Sequence, residues 1–510
     1  MNEQVRSFDR DFDAMVTIYG DRTALVPAFE RQRSLSYYQL DRLVRRHLAW
    51  FGTLGLRAGD RIGVLLPNSL ELLAIFTACL RGGYGFAPLA CDTSACEAQA
   101  WIALIQPARI IVGDILPDPV QAVLDASPTR RIAIETNGSF SYLPETDAVP
   151  RASAAAKIYL YTSGTTGRPK AIVIDGDRLW SSGYAYARHH MLGFDTPFRI
   201  WNYLPQSYLG GLFNLYLIPL SVAGSSVIDE PFSGRTFLGF WQTVDRYDIS
   251  ALWLVPTIVR GLLALGERTR RYETKSYRDA IRIAFLGTAP IELSTKQRFE
   301  ELYGIRLLEN YALSETTFLT SESRESVSGR VEGSVGAVLP YVDLRFRAVA
   351  AESDPSFREI LVRTPFMFDG YLEAEGNLVR EEQEGFFATG DLGYVDERGQ
   401  LVVTGRCKDI IKKGGQFVSL REVELLAMRH PGVAYAAAVP VAHAFYGESY
   451  TLFVQPASRG AFPTVDNLRR FLYENLARHK WPEHVELVEA FPQTGSGKIR
   501  KFVLKQTGGL

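Results

Sequence analysis

The string YTSGTTGRPK, Tyr161 to Lys170, gathers glycines and hydroxyls and adds two cations, Arg168 and Lys170. Glycines let a chain turn backbone N–H groups toward an anion with no Cβ in the way, and Ser and Thr hydroxyls donate to phosphate oxygens. Holding phosphate is the chemistry this composition can do; without a ligand, the same residues form an ordinary Ser/Thr/Gly loop. The string lacks the GxxxxGK[ST] spacing of a P-loop NTPase. Further groups able to do chemistry stand far downstream: Glu315 in YALSETT, Asp391 in TGDLG, Arg406 and Lys408 in GRCKD, and Lys498 in TGSGK.

These residues need a large scaffold. Tyr38 to Leu54 has the apolar spacing of an amphipathic helix, and Ser69 can cap an apolar helix that Gly82 and Gly83 stop. DRIGVLLPN, ARIIVGD, AKIYLYTSG, ALWLVP and IRIAFLG are strand-like runs separated by helical patterns. Strands alternating with helices predict an α/β fold. The character shifts after about Asp343 to short strands with turns, and DERG marks a hairpin. Beyond Arg406, helices (REVELLAMRH, VDNLRRFLYENLAR) alternate with strands (AYAAAVPV, SYTLFVQP, HVELVEAF). The expected architecture is a large N-terminal domain, residues 1–406, of mixed and parallel sheets flanked by helices, with a small distorted β subdomain. A small mobile α+β C-terminal domain, residues 407–510, follows.

Composition narrows the functional classes. The 510 residues are 46% apolar and 22% charged, with 56 basic and 57 acidic side chains and a net charge of −1. That balance gives no electrostatic case for nucleic acid or an anionic membrane. Cys79, Cys91, Cys96 and Cys407 are too sparse for a disulfide scaffold and lack zinc spacing. No run is long enough for a membrane span, and no apolar leader opens the chain, so a cytoplasmic location is expected.

YTSGTTGRPK, LGTAP (Leu286 to Pro290), NYALSETT (Asn310 to Thr317), TGDLG, GRCKDIIKKGG and TGSGKIRK occur in the order of the adenylate-forming superfamily's motifs. The chain resembles this superfamily, which includes acyl- and aryl-CoA synthetases, nonribosomal peptide synthetase adenylation domains and firefly luciferase, over nearly its whole length. The resemblance implies a two-step reaction. A carboxylate attacks the α-phosphate of ATP to give an acyl-AMP and pyrophosphate. The acyl group then passes to a thiol, of CoA or of a carrier protein's phosphopantetheine acting in trans.

The resemblance also implies roles. Thr162, Ser163, Gly164, Thr165, Thr166, Gly167 and Lys170 serve the phosphates, with Thr166 among the catalytic groups. Glu315 holds Mg²⁺, Asp391 accepts the ribose hydroxyls, and Arg406 reaches ribose or phosphate. Gly287, Thr288, Ala289, Asn310, Tyr311 and Ser314 line the nucleotide site, with Tyr311 along adenine. Lys498 bridges the carboxylate and the α-phosphate during adenylation. Lys408 is the hinge, and Gly414 and Gly415 border the thiol tunnel. Tyr208, Gly210, Gly211, Gly287 and Ala312 face a small carboxylic acid.

Two departures bear on that acid. Ala312 and Ser314 stand where the family commonly has Gly and Thr. Ser207 and Tyr208 replace an aromatic–His pair common in acyl-CoA synthetases, and LPQSYLGG has no Asp to pair with an α-ammonium. The leading expectation is an acyl-CoA synthetase. The alternatives are a stand-alone enzyme that activates an acyl, aryl or unusual amino acid for a carrier protein, a luciferase-like oxygenase, and an inactive scaffold.

Overall fold

The structure is a computed structural model. It describes residues 4–29, 32–114, 116–145, 155–162, 170–193, 195, 198–269, 277, 280–324, 329–349, 358–373, 376–457, 464–492, 499, 501 and 503–504. The expected roles of Ser163, Gly164, Thr165, Thr166, Gly167 and Lys498 fall outside the described residues, as does the side chain of Thr162.

Local sequence sets the helices. Ser36 and Gln39 form a reciprocal capping box on the helix Tyr37–Thr53. The Ser69 hydroxyl accepts from the Leu72 N–H at 3.2 Å to open the helix Leu70–Gly82, and Gly83, at φ 70°, closes it in a left-handed turn. Every residue of that helix is buried, so the apolar run is a core element. No helix among the described residues is long and apolar enough to cross a membrane.

Three sheets result. In the eight-stranded sheet, Arg131–Ala133, Arg109–Val112, Arg61–Leu65, Gly85–Pro88 and Lys157–Thr162 run parallel. Lys170–Asp175 and Gly370–Leu372 then add antiparallel strands. Thr162 pairs with Lys170, so the phosphate motif spans the connection between two sheet neighbours. The fourteen-stranded sheet has a parallel part that includes Arg199–Asn202, Ala251–Leu254, Ile283–Leu286 and Leu307–Leu313. It continues antiparallel through Thr317–Ser321, Ser334–Val338, Gln400–Arg406, Phe386–Val395, Arg358–Arg363 and Asp343–Ala348. The β-rich region expected after Asp343 is therefore an extension of the large sheet, turned at Asp396–Gly399 as DERG predicts. The five-stranded sheet is built wholly between Ile410 and Leu487.

The parallel strands are buried on both faces. Ala251 and Trp253 enter the largest core and Leu252 and Leu254 the second, as period-two alternation requires. This two-sided burial holds the ends of Ile283–Leu286 and Leu307–Leu313, where the candidate site lies.

Candidate active site

One end of the candidate site is built by two strand neighbours and one long-range contact. Asp391 and Arg406 are direct partners across the strands Phe386–Val395 and Gln400–Arg406. Arg406 Nε lies 2.9 Å from Asp391 Oδ1, and the Tyr311 hydroxyl donates to Asp391 Oδ2 at 2.6 Å. Asp391 is buried, 4% exposed, so its charge is sustained by these two donors. Burial first, and then the Asp391 carboxylate, push the Tyr311 hydroxyl far above its ordinary range, so it stays a donor at any physiological pH. A carboxylate offers about four lone-pair directions, so two remain for further donors.

A second cluster sits on the same hairpin. Glu315 occupies the turn between Leu307–Leu313 and Thr317–Ser321. The Tyr371 hydroxyl donates to its Oε1 at 2.6 Å, and the backbone N–H of Phe368 donates to its carbonyl at 2.8 Å. The Lys170 ammonium lies 5.3 Å over the Tyr371 ring and 3.2 Å from Glu373. Tyr371 thus brings together the exit of the phosphate motif and the candidate metal carboxylate. Burial and the Glu315 charge raise its own hydroxyl pKa strongly. Among the described residues no group of three or more His, Cys, Asp or Glu could hold a metal ion. One carboxylate fits Mg²⁺ only as a partner to phosphate oxygens that arrive with the substrate, which is how Mg²⁺ is commonly held.

Gly287 follows the strand Ile283–Leu286, and a Cβ there would lie 2.8 Å from Asn310 Oδ1. Asn310 is anchored by its Nδ2, which donates to the Leu286 carbonyl at 3.1 Å. Thr288 is held at φ 76°, a strained backbone for a β-branched residue, beside the half-buried Ala289. Ala312 is exposed and Ser314 half-buried. Tyr208 is 46% exposed and Gly210 opens the helix Gly210–Leu217. A Cβ on Gly211 would come within 2.6 Å of the Pro205 carbonyl and 2.8 Å of Gln206 Cα, so only glycine fits.

Lys408 is exposed in the short 3-10 turn Cys407–Asp409, directly after the Arg406 strand. Partial burial, then the neighbouring Arg406, depress its pKa. Gly414 and Gly415, at φ 57° and 85°, form the tip of a two-residue hairpin between Ile410–Lys413 and Gln416–Ser419. Lys501 pairs with Asp409, in the same turn as Lys408, at 3.5 Å and with Glu424 at 2.8 Å.

The structure brings Tyr311, Asp391 and Arg406 into one cluster, and Lys170 and Glu315 into another. Tyr371, Glu373 and Phe368 escaped the sequence reading. The strand Gly370–Leu372 and its flanks carry no motif, and only the pairing with Lys170–Asp175 places them.

The AMP-binding enzyme family matches residues 12–372, and the AMP-binding enzyme C-terminal domain matches residues 422–498. The chain is 28% identical over 508 residues to an oxalate–CoA ligase of Arabidopsis thaliana, covering 96% of both chains. It is 28% identical over 475 residues to a sulfoacetate–CoA ligase of Cupriavidus necator, covering 89% of both. The crystal structure of ATP-bound MatB from Rhodopseudomonas palustris is 27% identical and superimposes with a TM-score of 0.85 over 99% of each chain.

Proposed function

The chain belongs to the AMP-binding enzyme family and is an AMP-forming acid–thiol ligase, and from that premise we propose how its residues carry out the two half-reactions. The single observation behind the assignment is the hairpin from Leu307 to Ser321. Its stem presents Tyr311 to Asp391 and Arg406, and its turn presents Glu315 to Tyr371 near Lys170.

In adenylation, the ribose hydroxyls of ATP take the two open lone-pair directions of Asp391, and the Tyr311 ring lies along the base. Thr162 to Gly167 and Lys170 donate to the phosphates. Glu315 would hold Mg²⁺, which would supply positive charge against the polyphosphate. A carboxylate oxygen of the acid attacks the α-phosphorus, the bond to the β-phosphate oxygen breaks, and pyrophosphate leaves. Lys498 sets its ammonium between the attacking oxygen and the α-phosphate, where the charges crowd.

In thioester formation, the sulfur attacks the acyl carbon and AMP leaves. Rotation at Lys408 withdraws Lys498 and brings the Gly414–Gly415 hairpin to the thiol path. We place the domain boundary at Arg406–Cys407 for this reason. CoA is the thiol substrate that the relatives support.

ATP–pyrophosphate exchange across a panel of acids, with CoA release scored in parallel, tests the assignment. Acid-dependent exchange with acyl-CoA formation is the expected result. Exchange without acyl-CoA would transfer the acceptor role to a carrier protein's phosphopantetheine. Absence of exchange with any acid by a chain that binds ATP would overturn the adenylation roles.

A further inference from the structure

The strands Arg199–Asn202, Ala251–Leu254 and Ile283–Leu286 lie side by side and parallel, with Ile200 paired to Ala251 and Trp253 to Phe285. Ile200, Ala251, Trp253 and Phe285 all face the largest core, and alternation puts Asn202 on that same face, beside Trp253. This face reaches the acyl side of the site at two points. Phe285 stands two residues before Gly287, and Asn202 Nδ2 donates to the Gly211 carbonyl at 2.9 Å.

Aromatic rings pack together on this face beside those points. The Trp253 and Phe285 centroids are 4.8 Å apart, Trp253 and Phe318 5.5 Å, Tyr186 and Phe285 5.3 Å, and Tyr186 stacks on Phe318 at 3.9 Å. None of the four residues is more than 1% exposed. An alkyl chain or a ring extending inward past Gly287 would have to displace this stack.

Two polar atoms on neighbouring residues of this face are unmet. Trp253 Nε1 and Asn202 Oδ1 are buried and make no hydrogen bond among the described residues. A native fold seldom leaves such atoms unsatisfied, because each one costs the full loss of its water. Their chemistry is complementary: one donor and one acceptor. An ammonium would leave the indole N–H unmet, a carboxylate would leave the amide oxygen unmet, and a methyl would meet neither; a hydroxyl both accepts and donates. Gln206 Nε2, a further unmet buried donor, belongs to the turn that crowds Gly211, and a hydroxyl oxygen can accept twice.

We infer that the acid activated by this chain is a short hydroxy acid of about two to four carbons, its length capped by Trp253, Phe285 and Phe318 and its hydroxyl held by Asn202 and Trp253. The inference rests on the acid-activating reading above. It adds the substrate class.

ATP–pyrophosphate exchange with matched unsubstituted and hydroxylated acids of increasing length tests it. The hydroxylated acid should exceed its unsubstituted partner in kcat/KM by at least about tenfold, and activity should fall by at least about tenfold beyond about four carbons. Trp253→Phe keeps the ring and removes the N–H; it should lower the hydroxyl preference by about tenfold and leave the length limit in place. Phe318→Leu should move the length limit upward. An ATP-induced rise in Tm verifies that each variant is folded, and the wild-type profile decides the matter if one is not. Wild-type exchange with long acids, no preference for the hydroxyl, or an unchanged preference in folded Trp253→Phe would each overturn the inference while leaving acid activation intact. No exchange with any acid overturns the inference and the reading beneath it together.

Discussion

Tyr371→Phe isolates the contact that joins the Glu315 turn to the Lys170 strand. The substitution removes one oxygen and keeps the ring over which Lys170 lies. What is lost is the 2.6 Å hydrogen bond to Glu315 Oε1. Hydrogen bonds to charged groups are worth about 1.5–3 kcal/mol. Glu315 and Tyr371 are only half-buried, so water replaces part of the loss and the lower end applies, about 1.5 kcal/mol. At about 1.4 kcal/mol per decade, that is roughly a tenfold fall in kcat/KM for adenylation. The fall should appear mainly as a weaker dependence on Mg²⁺ and ATP, measured by exchange over a Mg²⁺ titration. In a Glu315→Gln background the same change should cost much less, because the charged partner is already gone; the double-mutant cycle reads that coupling. Unchanged Mg²⁺ dependence, or equal effects in both backgrounds, would refute the idea that Tyr371 acts by holding Glu315.

Other perturbations reach other parts of the site. Lys498→Ala should slow adenylation by about 10²-fold or more with a smaller change in ATP affinity, read by exchange rate against nucleotide binding. Lys408→Pro should leave exchange intact and impair thioester formation; equal loss in both half-reactions would remove the hinge role. Gly211→Ala forces a Cβ to within 2.6 Å of the Pro205 carbonyl and should cost about 1–3 kcal/mol of stability, visible as a lower Tm. Burial lowers His190 to about 3 and His47 to about 4, well below the ordinary imidazole. Between about pH 6.5 and pH 4 the unfolded chain therefore binds protons that the folded chain refuses, and stability falls as pH falls, by up to about 1.4 kcal/mol per unit for each histidine. Urea unfolding at pH 7 and pH 5.5 should show a shallower loss in His190→Gln than in the wild-type chain.

What could be read beforehand follows a physical divide. Ser69 and Gly83 act through bonds within a turn of themselves, so the helix Leu70–Gly82 was legible from its ends. Asp396 to Gly399 likewise carries its own turn chemistry. Asp391 and Arg406 stand out as motif residues, yet their ion pair depends on register across two strands, which no local signal encodes. Tyr371 and Trp253 were missed for the same reason. Each is an unremarked aromatic until strand pairing sets it beside Lys170–Asp175 or Asn202. Glu315 lies in a β-turn, because the strands flanking it pair across only three intervening residues, a pairing that no local signal encodes.

The hairpin from Leu307 to Ser321 has a further consequence for how such a protein can be altered. Within fifteen residues it supplies Asn310, bonded to the Leu286 carbonyl, Tyr311, bonded to the proposed ribose acceptor Asp391, the proposed metal carboxylate Glu315, and the ring Phe318. Their partners lie far along the chain, from Trp253 to Asp391, but the paired strands hold the four groups at a fixed spacing to one another. On the proposed roles, the spacing between the nucleotide and the acid is therefore set largely by a single segment. Exchanging that segment between relatives should change nucleotide geometry little, while the choice of acid should shift only in part, because Phe318 travels with the segment and Asn202, Trp253 and Phe285 stay on the host strands.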